Sequence, residues 1–98
     1  MTDKEVYKEL VDREKWCGLC GGIYGLHNHH IYYRSQGGLT KKENLIRLCE
    51  RCHRLVHSNK KLWQPKLMEI QHEKHGNFNE KDLLRRNKWM KNRNIKET

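Results

Sequence analysis

His29 to His57 reads HHIYYRSQGGLTKKENLIRLCERCHRLVH, and this stretch decides the fold. Two kinds of metal-ligand spacing are interleaved in it. Cys49-Glu50-Arg51-Cys52 repeats the spacing of Cys17-Gly18-Leu19-Cys20 upstream, and His53 and His57 follow at helical spacing. A single CxxC is shared with redox dithiols, but a pair of them is the pattern of a four-thiolate site, which holds zinc in a closed tetrahedron. Two disulfides or four free thiols are the alternatives. The glycines around the first pair suit a tight knuckle in which backbone N–H groups point at sulfur.

The 28 residues between Cys20 and Cys49 exceed the spacer of about 15–20 in compact zinc ribbons. Something folded must therefore lie between the knuckles. Ile23 to Ile31 and Asn44 to Leu48 are the candidate strands of an antiparallel hairpin, with Ser35-Gln36-Gly37-Gly38 in the loop that joins them. A helix over about 50–57 would follow, its first turn carrying the second knuckle. The core is then a β-β-α unit of α+β class.

On that helix His53 and His57 share a face one turn apart, so they can bind one ion. Cys52 is rotated by roughly 100° from His53, which lets the cysteine and histidine sites face different ways. A third histidine would come from the first strand. His29 and His30 are neighbours there and point to opposite faces, so one ligates and the other has another task. A neutral imidazole with an ordinary pKa of about 6.5 is suited to take a proton from water. Three histidines with open positions describe a catalytic ion rather than a structural one.

The residues CGLC (17–20), HHI (29–31), RSQGG (34–38), ENLIRLC (43–49) and CHRLVH (52–57) resemble the HNH endonucleases, the ββα-metal nucleases, and among them the zinc-knuckle type common in bacteriophages. The resemblance spans residues 17 to 57. It implies that His30 is the general base, that Asn44 stabilises the loop holding that base, and that His29, His53 and His57 bind the catalytic ion. That ion would be Mg²⁺, Mn²⁺, Ni²⁺ or Zn²⁺, beside a structural zinc on Cys17, Cys20, Cys49 and Cys52. Many relatives carry aspartate where His29 stands, and the position of His57 varies among them. The string His27-Asn28-His29 is a coincidence of letters, and His27 flanks the site without ligating. The implied reaction is phosphodiester hydrolysis to 3′-hydroxyl and 5′-phosphate ends, with double-stranded DNA as substrate and the DNA-packaging terminase of a phage as a further partner. A non-catalytic zinc-ribbon module that binds nucleic acid is the alternative.

Composition agrees with a polyanionic partner. The chain carries 21 Lys and Arg against 12 Asp and Glu, and residues 1–26 hold only four of the basic groups against five acidic ones. The excess therefore sits with the motif and the tail, where a concentrated positive field speeds encounter with nucleic acid. Arg34 after the first strand, and Arg85, Arg86 and Lys88 near the end, are candidate phosphate contacts, a type that gives affinity without reading sequence. Tyr32 and Tyr33 read as packing of the hairpin, with base stacking the alternative. His72 and His75 read as surface residues.

The flanks read as helices. Thr2 and Glu5 form a capping-box pattern ahead of a stripe of Val6, Tyr7, Leu10 and Val11. Pro65 to His75, with Gly76 beyond, predicts a second helix. Asn79 as N-cap, Asp82, and the staple pair Phe78 and Leu83 predict a last helix running through Leu83, Leu84, Trp89 and Met90 among Lys81, Arg85, Arg86, Lys88, Lys91, Arg93 and Lys96. Ninety-eight residues fit one nuclease domain: an N-terminal helix over 1–16, knuckle and core over 17–57, and a basic helical extension over 58–98. So short a chain has a marginal core and needs a staple. No apolar stretch of a secretory leader or of a membrane span of about 18 residues occurs, so the expected setting is a reducing cytoplasm, that of a bacterial host for a phage protein, with no membrane partner.

Overall fold

The computed structural model describes residues 2–85. Helix α1 spans Asp3–Arg13, strand β1 His27–His30, strand β2 Leu45–Leu48, helix α2 Glu50–Ser58 and helix α3 Lys60–His75. The capping box closes α1 as expected: Glu5 N–H donates to Thr2 Oγ1 at 3.2 Å and Thr2 N–H to Glu5 Oε1 at 2.8 Å. Leu10 is the fully buried residue of its stripe. The far end of α1 is held by an acid with no sequence signature. Glu14 is buried, takes the Arg47 N–H of β2 at 3.2 Å, and pairs with Lys74 of α3 at 3.1 Å.

β1 and β2 form one antiparallel pair, with His27 opposite Leu48, His29 opposite Ile46 and His30 opposite Leu45. The first strand is shorter than expected. Gly21 and Gly25 take φ of 78° and 61°, conformations that turn the chain out of extended geometry before Leu26. Ile23 and Tyr24 consequently stand exposed.

The loop between the strands is tightly made. A 3₁₀ turn over Arg34–Gln36 ends at Gly37 with φ 87°, and a Cβ on Gly38 would collide with the carbonyl of Tyr32. Asn44, fully buried, closes the loop: its Nδ2 donates to Leu39 O at 2.9 Å and Tyr32 O at 3.1 Å, and its Oδ1 accepts from Tyr32 N–H at 2.8 Å.

α2 begins just after Cys49 and places Val56 in the core cluster that also holds Ile31, Ile46, Leu48, Leu67, Met68 and Leu83. α3 starts five residues before the expected Pro65. Asn59 alone separates it from α2 and caps it by accepting the Leu62 N–H at 3.2 Å. Pro65 sits near the start of α3, where its missing N–H leaves only the carbonyl of exposed Lys61 without a helical partner. Gln71 of α3 is buried and donates to the carbonyls of Lys42, Glu43 and Leu45 at 2.9–3.2 Å, fixing the lead into β2.

The expected last helix is corrected. Asn79 caps, accepting from Lys81 N–H at 3.0 Å, but the chain makes only a 3₁₀ turn over Glu80–Leu83. Leu84 then runs extended beside Gly38, with Leu39 N–H donating to Leu83 O at 2.8 Å and Arg85 N–H to Gly37 O at 2.6 Å. Pairing with the hairpin loop wins over local helix signals because it satisfies backbone groups of both segments at once. Arg86, Lys88, Trp89, Met90, Lys91, Arg93 and Lys96 lie outside the described residues.

His72 and His75, expected at the surface, are half-buried. His72 stacks on Phe78 with ring centroids 4.1 Å apart and meets Glu80 at 2.8 Å. Glu80 also accepts from the Tyr32 hydroxyl at 2.5 Å, and Tyr32, by burial and by this carboxylate, has its pKa pushed up to about 12. The Tyr32 and His72 hydrogen bonds in turn hold the Glu80 carboxyl below the usual range. A depressed folded-state pKa stabilises the fold at pH above the unfolded value, about 4.3 for Glu, and that contribution fades as pH falls through the folded value. Wild type should therefore exceed Glu80→Gln in urea midpoint at pH 7, with the gap closing on acidification below pH ~4. A gap independent of pH would rule out the ionised carboxylate as its source.

Candidate functional site

The cysteines and the histidines gather in two separate clusters, each with residues on α2. The Sγ atoms of Cys17, Cys20, Cys49 and Cys52 lie within 4.8 Å of one another, with Cys20 and Cys49 at 3.6 Å. Tetrahedral zinc with Zn–S near 2.3 Å sets its sulfurs about 3.8 Å apart, so the set fits. All four cysteines stand as free thiols. Amides point at the sulfurs as the glycines suggested: Leu19 and Cys20 N–H at Cys17 Sγ, 3.4 and 3.5 Å, and Gly22 N–H at Cys20 Sγ, 3.4 Å. Burial pushes the Cys17 thiol up, but hydrogen bonds from the Cys20, Cys49 and Leu19 backbone outweigh it and bring its pKa down to about 6, the thiolate side that metal binding needs. Gly18 seats the knuckle on the sheet, its N–H donating to Arg47 O at 2.8 Å while the Ile46 side chain fills the space a Cβ would take.

The second cluster lines an open cavity of about 300 Å³ together with Asn28, His30, Tyr33, Arg34 and Ser35. One ring nitrogen each of His29, His53 and His57 falls within 4.8 Å of the others, and His53 Nε2 and His57 Nε2 are 3.1 Å apart. Zinc–nitrogen bonds near 2.0–2.1 Å set such atoms about 3.3 Å apart around one ion. His29 is 3% exposed and its Nε2 is buried with no hydrogen-bond partner. A buried polar atom without a partner is costly, and a cation at the centre of the three rings would satisfy it. Burial, and then the neighbouring His53, His57 and His30, push the His29 pKa down to about 3. Burial likewise lowers His53, aided by His57 and His27. Both rings are neutral at physiological pH and offer lone pairs.

His30 lines the same cavity but does not join the three converging ring nitrogens. Its Nε2 meets Thr40 Oγ1 at 3.1 Å and its ring faces the edge of Tyr7 at 6.1 Å. Burial and then the Arg34 charge lower its pKa, against a smaller opposing pull from Asp3. His27 does not join the ligand nitrogens and stacks on His53, centroids 4.9 Å apart at 12°. Arg34 is exposed at the cavity rim, and Arg85 is anchored by its backbone beside the same loop.

Residues 16–59 match the HNH endonuclease family. The matched span holds both knuckles, the hairpin and α2, and leaves α1 and α3 outside it. The HNH segment points to nuclease-type chemistry on a nucleic-acid substrate. No curated protein and no solved structure matches the chain. Among the described residues no helix is long and apolar enough to cross a membrane.

Two residues around the HNH cluster escaped sequence reading. Thr40 carried no signal at all. Tyr33, read as packing, lines the cavity and places its hydroxyl 3.1 Å from His57 Nδ1.

Proposed function

We propose that this chain is a metal-dependent endonuclease that hydrolyses phosphodiester bonds of double-stranded DNA to 3′-hydroxyl and 5′-phosphate ends. The observation that carries the reading is the convergence of His29, His53 and His57 nitrogens in one cavity beside a separately held His30. A divalent ion, when bound by those three histidines, supplies Lewis-acid stabilisation of the pentacovalent phosphate and the leaving 3′ oxygen.

The remaining work belongs to the chain. His30 Nε2 lies 3.1 Å from Thr40 Oγ1; in the tautomer the base role requires, Nε2–H donates to that hydroxyl and His30 Nδ1 keeps the lone pair that takes a proton from the attacking water. Asn44 holds the Tyr32 and Leu39 backbone and so keeps Thr40 opposite His30. Arg34 at the rim contacts phosphate, and Arg85, Arg86 and Lys88 track the backbone. Zinc on the four cysteines is structural, since a closed set of four leaves no position for substrate. The setting proposed is the cytoplasm of a phage-infected bacterium, with a packaging terminase as partner. Co-purification with terminase, and cleavage that depends on it, would support that partnership.

The chemistry is tested on supercoiled plasmid. With the cysteine site loaded, added Mg²⁺, Mn²⁺, Ni²⁺ or Zn²⁺ should produce nicked or linear DNA whose ends are ligatable, and EDTA should stop it. Binding of DNA without cleavage under every ion would favour a non-catalytic zinc module instead.

A further inference from the structure

Each ligating histidine must be held in the tautomer that leaves its metal-facing nitrogen unprotonated. His53 and His57 present Nε2 atoms to one another at 3.1 Å, with ring planes at 86°. When both Nε2 atoms face a cation, neither carries a hydrogen, so each Nδ1 must. His57 Nδ1 lies 3.1 Å from the Tyr33 hydroxyl. His57 is solvent-exposed on the last turn of α2, so its ring orientation has few packing constraints of its own.

We propose that Tyr33 is a positioning residue for the three-histidine cluster, its phenolic oxygen accepting the Nδ1–H of His57 and so presenting His57 Nε2 to a divalent cation. The inference rests on the reading of His29, His53 and His57 as ligands. Tyr33 is well placed for it because its ring touches two of the three. It meets His29 edge-on at 5.7 Å between centroids and lies tilted against His57 at 5.1 Å.

The tyrosine is itself held at its backbone and at its ring. Its backbone N–H donates to Gln36 Oε1 at 2.9 Å. That oxygen also accepts from Gln64 Nε2 at 2.8 Å, and the same Gln64 nitrogen donates to Ile31 O at 2.8 Å. Gln64 belongs to α3, outside the HNH segment, and Lys60 at the start of α3 lies over the Tyr33 ring at 5.1 Å. α3 thereby reaches the ion cluster through Tyr33, which gives a helix without ligands a direct influence on metal affinity.

The test is Tyr33→Phe in the full chain with its cysteine site zinc-loaded. The ring and its packing remain, and only the oxygen goes. Ni²⁺ titrated calorimetrically should bind the variant about 10–100-fold more weakly, the range for loss of a ligand's hydrogen-bond partner, with thermal unfolding of the Ni²⁺-free protein unchanged. In the Zn²⁺-loaded wild type, ¹⁵N spectra should show the His57 hydrogen on Nδ1, protected from exchange, and the protection should disappear in Tyr33→Phe. His57→Ala separates the two levels of the argument. If Tyr33→Phe binds Ni²⁺ like wild type while His57→Ala does not, the role of Tyr33 is overturned and the ligand set stands. If His57→Ala also binds normally, both fall.

Discussion

Plasmid cleavage by the His30→Ala variant is expected to drop by about 10²–10⁴-fold, the usual contribution of a positioned general base, while its affinity for the catalytic ion stays within a few-fold of wild type. The separation is geometric. The ring nitrogens of His29, His53 and His57 gather within 4.8 Å of one another, while His30 Nε2 meets Thr40 and its ring lies T-shaped against Tyr7. Burial and Arg34 keep its imidazole neutral near pH 7, the form a base needs. Because His30 is only half-buried and its one polar partner is a hydroxyl at the rim of the loop, alanine costs little stability. The contrasting variant is His53→Ala, which should lose ion binding and cleavage together. Initial rates on supercoiled plasmid at saturating Mn²⁺, with ion affinity measured alongside, decide the matter. Unchanged cleavage by His30→Ala would falsify its assignment as the base.

Removing the four-cysteine site should be the most damaging change to the fold. Among the described residues the apolar core has eleven buried side chains, and two of them, Cys17 and Cys52, belong to the four-cysteine cluster. Structural zinc in small domains is worth on the order of 10–16 kcal/mol, comparable to or above the whole stability of about 5–15 kcal/mol typical of a domain. Cys49→Ser also releases the residue that starts α2, and with it the helix that carries His53 and His57. The expected result is loss of the bound zinc and a fall in melting temperature of about 20 °C or more, since each kcal/mol is worth roughly 4–8 °C in a domain this small. Zinc content by mass spectrometry and thermal unfolding by circular dichroism measure both. A Cys49→Ser protein free of zinc but melting like wild type would show that the cysteines are ordinary free thiols.

Much of the centre was readable without coordinates because ligand spacing is local. CxxC makes a knuckle, and His-x₃-His puts two rings on one helical face, whatever surrounds them. Strand alternation likewise separated His29 from His30 before any packing was known. The flanks were less legible where local and distant preferences competed. Asn79 and Asp82 carry helix-start chemistry, yet the Leu39, Gly37 and Gly38 backbone captured Leu83 to Arg85 in extended pairing. Pro65 marked a helix start by composition, but Asn59 capped the helix earlier. His72 looked like a surface residue because nothing nearby in sequence announces Glu80 and Phe78 as its partners.

By itself, then, the sequence determined which cysteines and which histidines gather in each cluster, since that follows from spacing on a helix and alternation on a strand. Only the tertiary structure decided what holds those side chains in place. Thr40 on His30, Tyr33 on His57, Glu14 on Arg47 and Lys74, and Gln71 on the carbonyls before β2 are contacts between residues far apart in the chain. A hydrogen bond formed by chain folding leaves no periodic trace in sequence. The clustering of His29, His53 and His57 was legible because their spacing is local, and the groups that hold them were not.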